Sequence, residues 1–107
     1  MASKNLTAVD QALTIGGAAG EGRARTVAFQ LAGTFTGTVT FESTVDGTNW
    51  VATGAYPISG SGTAATTATA VGIWRVPAAA LSAVRARCSA FTSGTIEVKA
   101  ETSEGVF

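Results

Sequence analysis

The chain has 107 residues, with seven basic and seven acidic side chains and no histidine. That length carries one domain around one hydrophobic core and excludes two. Charged residues make up 13% of the chain, about half the usual share, and their signs cancel, so no basic field exists to hold phosphates and nucleic acid is excluded as a partner class.

Residues 1–8 read as an N-terminal arm, and residues 9–107 as a single domain. The start, Met1-Ala2-Ser3-Lys4-Asn5, has no apolar h-region, so no secretory signal is expected. No stretch approaches 18 consecutive apolar residues, so no membrane partner is expected. A first strand is expected over Asp10–Ile15, then a flexible loop from Gly16 to Gly22. The next strand runs over Arg25–Ala32. From Val27 to Val45 the odd positions are apolar or small and the even positions mostly Thr, Ala, Gln or Glu. A period of two this long predicts strands with one buried face. Gly33 and Gly37 bracket Phe35, which leaves open a hairpin or one bent strand.

After a strand over Thr38–Val45, the turn Asp46-Gly47-Thr48-Asn49 reads as a loop built around a type I turn. That loop pairs Val45 with Trp50 and Ser43 with Ala52, and places Trp50 inside. Gly54–Gly62 and the Ala/Thr-rich Thr63–Ala70 carry little pattern to fix a register; the latter reads as an edge strand or an ordered loop. Ile73-Trp74-Arg75-Val76 is a short strand with Trp74 and Val76 on one face, ended by Pro77. Ala78–Ser82 suits one helical turn between two sheets. The last segment reads as a hairpin. Val84, Ala86, Cys88 and Ala90 face inward with Ile96, Val98 and Ala100, and Thr92-Ser93-Gly94 forms a G1-bulge turn with Gly94 at positive φ. Arg85 and Arg87 then lie beside Glu97 and Glu101.

About seven or eight short strands at this spacing predict an all-β fold, an antiparallel β-sandwich of jelly-roll type, with a small β-barrel as the alternative. Phe29, Leu31, Val39, Phe41, Trp50, Val84, Ile96 and Val98 are the expected core. Cys88, the sole cysteine, is expected as a small buried residue.

No catalytic, cofactor-binding or metal-binding residues emerge. Absent histidine removes the usual general base and the commonest metal ligand. Glu42, Glu97 and Glu101 fall on outward strand positions and Asp46 starts a turn, so no carboxylate pair suits glycoside hydrolysis. Gly16–Gly22 lacks the Gly-Lys-Ser/Thr ending of a phosphate loop. Asn5-Leu6-Thr7 is a glycosylation sequon without a secretory context. The aromatic residues Trp74, Tyr56 and Phe107 are the candidate partner contacts, since tryptophan and tyrosine are enriched at interfaces.

Two segments carry a family resemblance. The run from Gly33 to Trp50, with its Phe41-Glu42-Ser43 strand end and Asp46-Gly47-Thr48-Asn49-Trp50 turn, resembles a recurring pattern in small virion proteins of tailed bacteriophages. The run Val84-Arg85-Ala86-Arg87 through Phe91-Thr92-Ser93-Gly94-Thr95-Ile96 is similar to the closing hairpin of the same proteins. This chain departs from the pattern at Thr44-Val45 and at Cys88. The resemblance implies a non-catalytic structural protein located in the virion and made in the host cytoplasm. The matching motifs do not separate a head decoration or fibre-base protein from a tail or neck component; the length of the chain favours a capsid decoration or head accessory role over a fibre module. The resemblance further implies a homotrimer bound to the major capsid or tail protein, needing no cofactor. The alternative is a carbohydrate- or receptor-binding tail module that recognises a host glycan through Trp74 or Tyr56. The arm and the loop Gly16–Gly22 are expected to order on assembly.

Overall fold

The computed structural model describes residues 2–16, 26–58, 63–78 and 81–103. Among them every regular element is a strand. The strands are β1 (Ala2–Leu6), β2 (Ala12–Gly16), β3 (Thr26–Ala32), β4 (Phe35–Thr44), β5 (Val51–Ala52), β6 (Tyr56–Pro57), β7 (Thr67–Ala68), β8 (Gly72–Pro77), β9 (Ala83–Gly94) and β10 (Ile96–Ser103). They form two antiparallel sheets. The first has the order β1-β10-β3-β8-β6; the second has β2-β9-β4-β5, with β7 also on β4. The pairs β1 with β10, β2 with β9 and β3 with β8 are rungs of one long hairpin rolled across both sheets, which is the jelly-roll plan.

The inward rows of the two sheets meet in one core. Phe29, Leu31, Val39, Phe41, Val84, Ile96 and Val98 are all at most 1% exposed. The alternation seen in the sequence is therefore the alternation of the pleat. Phe41 lies at the centre, its ring centroid 5.9 Å from Phe29 and 5.6 Å from Trp74. Cys88 is buried as expected, and burial pushes its thiol pKa up.

Five expectations are corrected. First, residues 2–6 are not an arm. They form β1, an edge strand paired with β10, and Leu6 is fully buried opposite Ile96. Ser3, Lys4 and Asn5 hide the strand in the sequence, because an edge strand with a charged residue lacks an apolar run.

Second, β9 and β10 are not a hairpin. β9 pairs with β2 and β4 in the second sheet, and β10 with β1 and β3 in the first. The connection crosses between sheets. Inward rows of facing sheets point at each other, so shared parity cannot separate a hairpin from a crossing. β3 and β4 are likewise joined by a crossing, through Gly33 and Thr34. The two crossings stand side by side: Thr95 N–H donates to the Thr34 carbonyl at 3.0 Å. Gly94 does have positive φ (+91°), as expected, and so does Gly33 (+92°).

Third, Ala90 faces outward. The β4–β9 register shifts between Thr38 and Val39, where Thr38 opposes Ala90 and Val39 opposes Cys88, leaving Ser89 as a bulge. A bulge adds one residue to one strand and reverses its alternation. Phe91 therefore takes the inward place and packs on the core, while Ala90 is exposed. The Thr40 hydroxyl hydrogen-bonds the bulged Ser89 hydroxyl at 2.8 Å.

Fourth, the β4–β5 register is one residue away from expectation. Ser43 pairs with Val51 and Glu42 with Ala52, so the loop runs over 45–50 and Val45 is 73% exposed. Asp46 winds this loop. Its carboxylate accepts the backbone N–H groups of Thr48 and Asn49, both at 2.8 Å, and the Thr44 hydroxyl at 3.0 Å. These bonds hold the Asp46 carboxyl well below the usual carboxylate range. A one-residue slip turns a side chain to the other face, and this is the fifth correction: Trp50 leaves the core for the outer side of the second sheet, where Arg85 covers it.

The connection from β8 to β9 passes from the first sheet to the second. Ala78 is fully buried and Leu81 N–H donates to its carbonyl at 3.2 Å; Ala79 and Ala80 lie outside the described residues, as do Gly17–Gly22.

Candidate functional site

The sandwich offers two outer faces, and they differ in kind. On the second sheet, β9 presents Arg85 and Arg87 and β4 presents Glu42 between them. Arg85 Nε donates to Glu42 Oε1 at 2.7 Å, Arg87 Nε to the same oxygen at 3.1 Å, and Arg87 Nη2 to Oε2 at 3.2 Å. Arg87 Nη1 reaches Asp10 at 2.9 Å, which ties the turn before β2 to β9. The Arg85 guanidinium lies 4.0 Å from the Trp50 ring centroid, a cation–π contact. These arginines therefore pair with Glu42 and Asp10 rather than with Glu97 and Glu101, which belong to the other sheet. Glu42 itself is only 8% exposed.

Burial alone would raise the Glu42 pKa, but the hydrogen bonds and charges of Arg87 and Arg85 outweigh it and lower the pKa. A lowered folded-state pKa stabilises the fold above the unfolded value of 4.5, and that contribution is lost as pH falls through the folded value. Glu42→Gln keeps the shape and removes the charge. It should cost about 1–3 kcal/mol at pH 7, and the gap between variant and parent should narrow at pH 3. Urea midpoints of both proteins at the two pH values check this. A gap independent of pH would mean that the Glu42 charge contributes nothing.

The outer face of the first sheet is different. The strand registers lay its side chains on a grid. One rank across the sheet reads Tyr56, Arg75, Ala28, Glu101; the next reads Ile73, Gln30, Lys99, Ser3. Ile58 continues the outward row of Tyr56, and its N–H donates to the Ile73 carbonyl at 2.9 Å. Two of the exposed large apolar residues belong to this side, Tyr56 (38%) and Ile58 (49%), and a third, Val71 (59%), directly precedes β8. With Ile73 they form an apolar strip along β6 and β8. Beside it, where β3 carries only Ala28, lies a depression of about 190 Å³ lined by Ala28, Gln30, Ile73, Lys99, Ala100 and Glu101. An exposed apolar strip rimmed by charges marks an interaction surface on a soluble protein.

The structure separates the three aromatic candidates. Trp74 turns inward on β8 and packs half-buried against the core. Tyr56 stands on the outer face beside Arg75. Phe107 lies outside the described residues. Ile58, Val71 and Ile73, which complete the strip, were missed. The signal for Val71 and Ile73 was apolar character at both parities over 71–76, the pattern of a strand covered on both faces; Ile58 lies in a segment with little pattern. Among the described residues no group of histidine, cysteine, aspartate and glutamate side chains is placed to hold a metal ion. Among the same residues no helix is long and apolar enough to cross a membrane.

No protein-family model and no curated protein matches the chain. Solved structures do resemble it. The SPBc2 prophage-derived protein YomS superposes with a TM-score of 0.69 at 12% identity, over 95% of this chain and 94% of that one. The PBSX exported protein XepA superposes with a TM-score of 0.73 at 14% identity, over 95% of this chain. The chain spans 38% of the length of XepA. At these identities the likeness is one of fold.

Proposed function

We propose that this chain is a non-catalytic structural protein of a bacteriophage virion, a capsid decoration or head accessory protein that associates with itself and with the particle. The observation that carries the reading is the jelly-roll shared end to end with YomS, which is prophage-derived. The phage-like turn and strand motifs in 33–50 and 84–96 point the same way, independently of that superposition. The apolar strip on β6 and β8 supplies a surface for protein partners, and the low charge of the chain suits a surface covered by other subunits. Nothing in this role calls for a cofactor or a metal.

With Trp74 turned inward, the carbohydrate-binding alternative rests on Tyr56. Sedimentation velocity and glycan-array binding separate the two. The virion reading predicts a mass above that of one chain at tens of micromolar and no glycan signal. A monomer that binds a glycan, and loses it in Tyr56→Ala, would overturn it.

A further inference from the structure

We propose that two copies of this chain associate face to face through the outer face of the first sheet, about a two-fold axis crossing β3 between Ala28 and Gln30. The inference rests on the self-association in the proposed function and specifies its geometry.

The grid of that face is self-complementary in one register. An axis lying across the strands, between the two ranks, sets each residue of one rank over its strand neighbour in the other. Tyr56 then meets Ile58 of the second copy, Arg75 meets Ile73, Ala28 meets Gln30, and Glu101 meets Lys99. Each contact occurs twice, as a two-fold interface requires. Apolar side chains meet apolar ones, and the aliphatic stem of Arg75 lies along isoleucine. Two acid–base pairs form on the β10 side. The depression over Ala28 receives Gln30 of the second copy, so a long side chain fills the place left by a short one.

Neighbouring registers fail on the same grid. Centring the axis on the second rank sets Lys99 over Lys99 and Glu97 over Glu101. Running it along β3 sets Arg75 over Glu101, but also Ile73 over Lys99 and Ile58 over Ser3, so the apolar strip meets no apolar partner. Like charges opposed across an interface are strongly disfavoured, which rejects the first of these axes, and the unmatched apolar strip rejects the second, so charge and apolar pattern together select one register. The outer face of the second sheet offers no comparable pattern, because Glu42, Arg85, Arg87 and Asp10 already satisfy one another. A two-fold interface predicts twice the 10.7 kDa of the chain, not the trimer that the phage resemblance implies.

Charge reversal tests the register. Lys99 and Glu101 are exposed, so their variants are expected to fold, which circular dichroism and an unchanged urea midpoint verify. Glu101 also interacts within its own chain, so single reversals are read against the double variant, which keeps both charges on the same strand. Sedimentation velocity and equilibrium on the full chain should show a dimer whose dissociation constant rises at least about tenfold in Glu101→Lys and in Lys99→Glu. The double variant Lys99→Glu/Glu101→Lys should return to within about threefold of the parent. Ala28→Arg, which fills the depression, should also dissociate the dimer. A chain that self-associates but ignores all three single variants would overturn this face and leave self-association standing. So would dissociation by Ala28→Arg without rescue in the double charge variant, or a threefold mass. A chain that is monomeric at every concentration would overturn both this interface and the self-association on which it rests.

Discussion

Phe41→Ala should lower stability by about 3–5 kcal/mol, the range for deleting a fully buried phenylalanine. Phe41 is 0% exposed and touches the rings of both Phe29 and Trp74. Its loss removes two aromatic contacts and opens a cavity between the sheets. Neighbouring strands in a jelly roll are held on both sides, so they cannot collapse fully into that space. For a domain of this size the change is a large share of the total stability, about 5–15 kcal/mol. The thermal midpoint should fall by more than about 10 °C. An unchanged midpoint in urea and in heat would remove Phe41 from the core.

Gly94→Val should destabilise by at least about 2 kcal/mol. Backbone strain at positive φ contributes about 1–3 kcal/mol for a β-branched residue, and forced repacking about 1–3 kcal/mol more. The structural reason is the crossing between sheets. Gly94 pairs with Phe35 at the end of the β4–β9 ladder. An added Cβ would collide with the Thr34 carbonyl oxygen and lie 2.7 Å from Phe35 Cα. Gly33, across the same corner, would press a Cβ to 2.6 Å from the Thr95 carbonyl oxygen. Gly94→Ala separates the two causes: it meets the same backbone atoms without the β-branch and should lose most of the same stability. Equal urea midpoints for Gly94→Val and the parent would mean that the chain does not cross between sheets there.

Much of the architecture was legible in the sequence, because an alternating strand records its buried face residue by residue. Val27, Phe29, Leu31, Val39 and Phe41 lie inside for that reason, as do Val84, Ala86, Cys88, Ile96 and Val98. What alternation does not record is which sheet a strand joins. Val84 and Ile96 share parity because they line one core from opposite sides, and a hairpin would have given the same parity. Local polar chemistry was also silent. Asp46 reads as the start of a short turn, yet its bonds to Thr44, Thr48 and Asn49 lengthen the loop and carry Trp50 outside. Ser89 carries no mark of the bulge that exchanges Ala90 for Phe91. Of the candidate surface, Tyr56 was visible as an aromatic residue near a glycine-rich turn. Its neighbours Ile58, Val71 and Ile73 become a strip only when β6 pairs with β8.

The virion role is tested most directly by quantitative mass spectrometry of gradient-purified particles from cells carrying this coding sequence. The chain should be present at a fixed ratio to the major capsid or tail protein and should survive a high-salt wash, since an interface poor in charge is little screened by salt. Abundant chain in the lysate together with its absence from intact particles would contradict the proposal.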